Sequence, residues 1–428
     1  MAFAAPDEMG GFLLRERLTV DRTSNSRLLT PVFGLITLAT FAYFLSVGVL
    51  IPTLPRYVEG PLGGGHVAVG VIIGAFSLTA VIMRPYSGRL GDRRGRRLLM
   101  VAGATSISLA TLGYVPAQSL VPLLILRALT GVGEALFYVG AASAVNDLAP
   151  PGRRGEALSL FSLALYSGIA LGPVIGELVL DGMSFQAVWL VSAGAGFAAA
   201  AVALLLPETR AEDEIGNGSL RLVHRAGLVP GAALATSVWG LSGFNAFVPL
   251  YALDLGMSGS RAAFVLFAII VLSIRSIGRR IPDRLGPLKT ARYSLGVTGV
   301  GMMIVGLWSE PAGLFAGVAV FAVGQSLAFP ALMTLAVEGA PPSERGSVIG
   351  TFTAFFDLAF GLGAVSLGAV SELLGYSGLF VTAGFVALAG MAMMFLMSRR
   401  AAAPAEARAE VWASGTENRR VEEGCEPY

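Results

Sequence analysis

Arg84-Pro85-Tyr86-Ser87-Gly88-Arg89-Leu90-Gly91-Asp92-Arg93-Arg94-Gly95 lies 191 residues before Arg275-Ser276-Ile277-Gly278-Arg279-Arg280-Ile281-Pro282-Asp283-Arg284-Leu285-Gly286, and the two stretches match at Arg84, Arg89, Asp92, Arg93 and Gly95. The same offset carries Ala149-Pro150-Pro151 onto Ala340-Pro341-Pro342, and Gly172 onto Gly363. One offset holding at three separate places means that a single unit occurs twice, in parallel orientation.

What surrounds the repeated stretches is almost entirely apolar. A helix of about 20 residues crosses a hydrocarbon core of about 30 Å. On that ruler the spans fall near 31–51, 67–86, 98–115, 120–142, 157–178 and 187–207, then 229–251, 261–279, 293–309, 312–336, 347–369 and 376–397. The fold class expected is therefore an all-α membrane protein with twelve transmembrane helices in two parallel-related six-helix bundles. The bundles cover 29–207 and 229–397, joined by a charged linker at 208–228 that contains Glu208, Glu212, Asp213 and Glu214 and reads as a surface loop. Residues 1–28 and 398–428 are polar end segments, and the late first span reads as a retained helix rather than a cleaved signal.

Composition agrees. Of the 428 residues 54% are hydrophobic and 14% charged, where a soluble domain carries roughly 25% charged residues. The 55 glycines and 22 prolines would burden a soluble helical domain but are tolerated where membrane helices pack closely. Basic residues are spread through short loops, which argues against a nucleic-acid surface and for topology. They collect on one side, at Arg89, Arg93, Arg94, Arg96 and Arg97, at Arg153 and Arg154, at Arg210, Arg221 and Arg225, around Lys289, and at Arg345. The opposite loops hold only Arg56 and Arg261. This positive-inside skew places both termini in the cytoplasm. Trp189 and Trp308 fall where an interfacial aromatic belt would put them.

The chain offers no nucleotide-binding loop: Gly63-Gly64-Gly65 lacks a following lysine-serine pair. His66 and His224 are too few and too far apart for a metal site, and Cys425 has no second cysteine to pair with. No enzyme, metal or cofactor is expected. The expected partners are membrane lipids and a small molecule, with no nucleic acid, a monomer as the working unit and protons as the coupling ion.

Gly88-Arg89-Leu90-Gly91-Asp92-Arg93-Arg94-Gly95-Arg96-Arg97 resembles the signature of the major facilitator superfamily between its second and third helices, and the resemblance runs from residue 29 to about 398. It implies two halves that rock about a central site. It also implies a cytoplasmic gate at Gly88, Asp92 and Arg93, extended by the repeat to Asp283 and Arg284. Physically, glycines at 88 and 95 would allow close approach, and Asp92 could accept hydrogen bonds from a neighbouring helix terminus. Arg84 departs from the family pattern, and its repetition as Arg275 marks it as a feature of this lineage. Gly168-Ile169-Ala170-Leu171-Gly172-Pro173-Val174-Ile175-Gly176-Glu177 resembles the fifth-helix motif of proton-coupled exporters, with Glu177 in place of a glycine. Gly168, Gly172 and Gly176 form a smooth stripe that Pro173 can bend. The branch implied is efflux of drugs or metabolites by proton antiport. The alternatives are a proton-coupled importer of sugars or organic acids, since such helices and loops serve either direction, and a non-transporting membrane sensor or scaffold.

Ionisable residues inside spans mark function, because burial in lipid must be relieved by a cavity or a partner. Arg127 and Glu134 lie seven residues apart on one face of the fourth span, roughly 10 Å along the axis, so something else must bridge them. Asp357 stands within the eleventh span amid phenylalanines. Glu134, Asp357 and Arg127 are the candidates for proton coupling, with Arg127 as the switchable partner of Glu134. Gln325 is the repeat counterpart of Glu134. Tyr43, Phe44, Trp239, Phe244, Gln325 and Phe356 are candidates for lining a cavity for an amphipathic substrate.

Overall fold

The computed structural model describes residues 28–150, 153–209, 223–277, 284–341 and 344–422. Asp283, Cys425, most of the first 28 residues and most of the 208–228 linker lie outside them. The described residues form eleven helices: α1 (Pro31–Glu59), α2 (His66–Arg94), α3 (Arg96–Leu112), α4 (Leu120–Leu148), α5 (Arg154–Gly182), α6 (Phe185–Leu204), α7 (Arg225–Asp254), α8 (Arg261–Ile277), α9 (Pro287–Leu307), α10 (Pro311–Glu338) and α11 (Arg345–Glu422). Within α11 two helices run together across Gly375, whose φ of 69° is left-handed and suits a residue without Cβ.

Eight stretches are long and apolar enough to cross a membrane, so the expected twelve are not all met by that criterion. The shortfall has identifiable causes. α3 and α8 have 17 residues each, and α9 opens with Lys289 and Arg292. The 51-residue stretch Ser347–Met397 contains both of the last two expected spans.

Local chemistry sets the ends. Thr30 caps α1 by accepting from the Phe33 amide at 3.2 Å, and Ser184 caps α6 in the same way. The N-terminus of α3 is capped from a distance: Glu208 accepts the amides of Arg96, at 2.7 Å, and Arg97, at 3.3 Å. Glu208 is thus a helix cap rather than part of a free surface loop. It stops α2 and α3 from fusing at Gly95, where φ is 96°.

Helices α1–α6 pack against one another, as do α7–α11, and the two groups meet chiefly where α2 faces α11, α5 faces α8 and α1 faces α7. Small residues permit the tightest seams. On α1 and α5, a Cβ added at Gly48 would lie 2.9 Å from the Gly168 carbonyl oxygen, and one at Gly172 would overlap the Gly48 backbone. Trp189 is buried between Tyr57, Tyr114 and Phe185, so it is a core residue and not part of an interfacial belt. Trp308 is exposed and donates to Glu310.

Candidate functional site

Three charged side chains from three helices meet at mid-depth where α2, α4 and α11 converge. Arg84 of α2 approaches Asp357 of α11 with Nε 2.7 Å from Oδ2, out of line for a hydrogen bond. Its Nη2 makes the directed bonds, to Asp357 Oδ1 at 3.1 Å and to Glu134 Oε1 of α4 at 3.3 Å. Arg84 therefore ties a carboxylate of the first helix group to one of the second. The Arg84 side chain retains 18% of its accessibility, against 8% for Glu134 and 7% for Asp357, so the arginine is the least enclosed member of the cluster. The guanidinium also lies over Tyr138, 4.9 Å from the ring centroid.

This corrects the pairing expected for Glu134. Arg127 is buried, but it makes no ion pair among the described residues. Its guanidinium lies 4.5 Å from the Phe76 ring, and its Nε and Nη1 have no hydrogen-bond partner. The helix that bridges to Glu134 is α2, through Arg84, which sequence spacing could not reveal because the two residues are 50 apart. The available signal was the recurrence of Arg84 as Arg275.

The aromatic candidates divide. Tyr43 is fully buried and stacks on Phe137 at 4.0 Å, and Phe44 is buried beside it. Phe244 sits among Phe264, Phe267 and Phe321 inside the second group. These three are core, not lining. Trp239, Phe356 and Gln325 are half-buried. Gln325 is held by Ser237, donating to its carbonyl at 2.9 Å and accepting from its hydroxyl at 3.3 Å.

At the basic end, Asp92 accepts from Arg96 at 2.7 Å, and Arg96 reaches Asp147 of α4 at 3.3 Å. Arg96 opens the next helix, α3, so this contact crosses the break at Gly95, and the amides at that terminus are taken by Glu208. Gly88 meets nothing within 4 Å of an added Cβ, so no close approach requires glycine there, whereas one at Gly95 would collide with Glu208. Arg93 and Arg284 are exposed.

The opposite end is closed between the two groups. Glu177 of α5 is buried and caps α8, accepting from the Ser260 amide at 3.0 Å, the Arg261 amide at 2.5 Å and the Ser260 hydroxyl. Glu372 accepts from the Val67 amide at 3.1 Å, and Ser371 meets His66 at 2.9 Å. Below them, an added Cβ at Gly74 would press on Gly361. The residue that broke the glycine pattern at 177 is therefore a clasp between halves.

The chain matches the Major Facilitator Superfamily over residues 36–363 and 283–420. It is 32% identical over 389 residues to an uncharacterized MFS-type transporter of Pseudomonas aeruginosa, covering 86% of this chain and 94% of that protein. A second uncharacterized MFS-type transporter, from Salmonella typhimurium, is 28% identical, covering 85% and 96%. Among solved structures, the human organic anion transporter MFSD10 superposes with a TM-score of 0.67 at 18% identity, covering 86% of this chain and 100% of that one. A bacterial homolog of the human lysosomal transporter Spinster, solved inward-facing and unoccupied, gives 0.73 at 15% identity, covering 88% and 98%. At these identities the solved structures establish a shared fold.

Proposed function

This chain belongs to the Major Facilitator Superfamily and is a multi-pass membrane transporter, not an enzyme; from that premise we propose that it exports small organic or amphipathic molecules in exchange for protons, by alternating access. It works as a monomer in the cell membrane, with both termini in the cytoplasm as the basic skew requires.

The observation that carries this reading is the bridge from Glu134 through Arg84 to Asp357. Two carboxylates compete for one guanidinium, and each belongs to a different helix group. A proton taken up by Asp357 cancels the charge that holds Arg84 to the second group. One taken up by Glu134, which like Arg84 belongs to the first group, leaves the guanidinium to Asp357 alone. Protonation thus changes how firmly the halves are joined at mid-depth, which is what coupling a proton to a rocking motion demands.

The clasp at Glu177 and the α2–α11 approach close the end opposite the basic loops. Hydrogen bonds and ion pairs join the halves at that end and at mid-depth. Closure at that end is what a state open toward the cytoplasm, where an exporter loads its cargo, requires. Phe356, Trp239 and Gln325 supply apolar surface and an amide on the same side of the bridge's second group.

The test is a panel of small organic compounds with purified protein in sealed proteoliposomes of known orientation under an imposed pH gradient. Export coupled to proton entry is the expected result. Accumulation with the proton, in the same direction, makes it an importer. Absence of movement for every compound, with or without a gradient, defeats the transporter mechanism offered here.

A further inference from the structure

Arg275 is the repeat counterpart of Arg84, yet the two differ in electrostatic company. Arg84 faces two carboxylates, whereas Arg275 makes no ion pair among the described residues, and its buried Nε has no hydrogen-bond partner. Its guanidinium lies 3.8 Å from the ring centroid of Tyr166. Arg275 is on α8 and Tyr166 on α5, so this contact too spans the two helix groups. Arg84 likewise lies over a tyrosine, Tyr138 of α4. The two repeated arginines therefore each lie over a tyrosine of the first group, one paired with carboxylates and the other not among the described residues.

An arginine within a membrane span is costly unless a partner or a ligand meets its charge. Snorkelling toward the basic end would be the plain alternative, but stacking on Tyr166 directs the head group toward the other half instead. Stacking satisfies the face of a guanidinium and leaves its edge, a planar fork of N–H donors that matches a carboxylate in two parallel hydrogen bonds. Tyr166 holds that fork in one plane before any ligand arrives, which lowers the ordering cost of binding.

We propose that Arg275, held by Tyr166, receives an anionic group of the transported molecule, a carboxylate above all, so that the substrate class is organic monoanions. This rests on the transporter reading above for its word "substrate", but the binding site itself does not.

The experiment uses the full chain in phosphatidylcholine nanodiscs, where no anionic lipid competes. Thermal shift is measured with a series of aliphatic and aromatic monocarboxylates, benzoate and octanoate among them, each beside its neutral amide. At least one carboxylate should stabilise the wild type well beyond its amide. In R275Q its apparent affinity should fall roughly tenfold to a hundredfold, the scale of a lost hydrogen bond to a charged group. R275K, which keeps charge but lacks the fork, should show an intermediate loss and guards against a folding defect in R275Q. If no carboxylate outperforms its amide, or the preference persists in R275Q, the anion site is overturned. The same compounds are then offered in proteoliposomes. Carboxylate binding that needs Arg275 with no flux of any compound keeps the site and removes the transport reading. Flux confined to neutral or cationic compounds and indifferent to R275Q does the reverse.

Discussion

Arg84 and Asp357 are 273 residues apart in the chain and form an ion pair at 2.7 Å that joins the two halves of the molecule. Glu134 shares the same guanidinium, which therefore has two arms, one within the first half to Glu134 and one across to Asp357, and only the second joins the halves.

Replacing Glu134 by Gln keeps the shape of the first arm and removes its titration. In sealed vesicles E134Q should lose accumulation driven by a pH gradient while retaining binding and exchange of substrate. D357N should do the same from the other half, and the double variant should be no worse than the single one that matters more. Wild-type proton stoichiometry in E134Q would move the coupling role to Asp357.

Asp92, near the end of α2, is largely exposed and pairs with Arg96 at the start of α3. An exposed pair contributes about 0.2–1 kcal/mol, so D92N should insert and fold normally with a melting temperature within a few degrees of wild type. Transport should nevertheless fall, because Arg96 also reaches Asp147 and loses its fixed direction. Paired measurements of flux and of cysteine accessibility at both ends decide this; unchanged values in both would reduce Asp92 to a local contact.

Glu177 clasps α5 to α8 at the closed end. E177A removes all three acceptor contacts and should shift the population toward opening there. Spin labels at exposed Met183 and Ser258, in a background with Cys425 replaced by serine, would report longer distances in E177A. An unaltered distance distribution would show that the glycine seam alone keeps that end shut.

Two glycines that look alike in sequence should respond in opposite ways. G172V drives a branched side chain into the Gly48 backbone and should cost about 1–3 kcal/mol or more through overpacking, visible as lower yield and melting temperature. G88A enters open space and should leave stability and flux near wild type. A neutral G172V would contradict the close α1–α5 approach.

The fold was legible because its signals are periodic: apolar runs of membrane length, basic loops on one side, and one offset repeated through Arg84, Asp92 and Gly172. The site was legible only as a set of members. Glu134 and Asp357 stood out as carboxyls within apolar runs, but partners on other helices leave no spacing to read, and Arg127 drew attention through nearness in sequence alone. Glu177 and Glu208 show the same limit. Each broke or lay outside a motif, and each caps a helix that sequence gave no means of bringing near. Phe244 and Trp189 had the right residue type and the wrong face, because in helices apolar all round the burial pattern carries little directional information.

One arginine set against two carboxylates is also an imbalance of electric charge. Fully ionised, Arg84, Glu134 and Asp357 sum to one negative charge in the middle of the bilayer, and a single proton brings the sum to zero. A membrane voltage exerts force on the first state and none on the second, with about 2.3 kcal/mol available per charge for each 100 mV fully traversed. If protons couple transport through this cluster, voltage acts on the cluster itself only in its proton-free state, and with a neutral cargo the steepness of the current–voltage curve should diminish as protons saturate it.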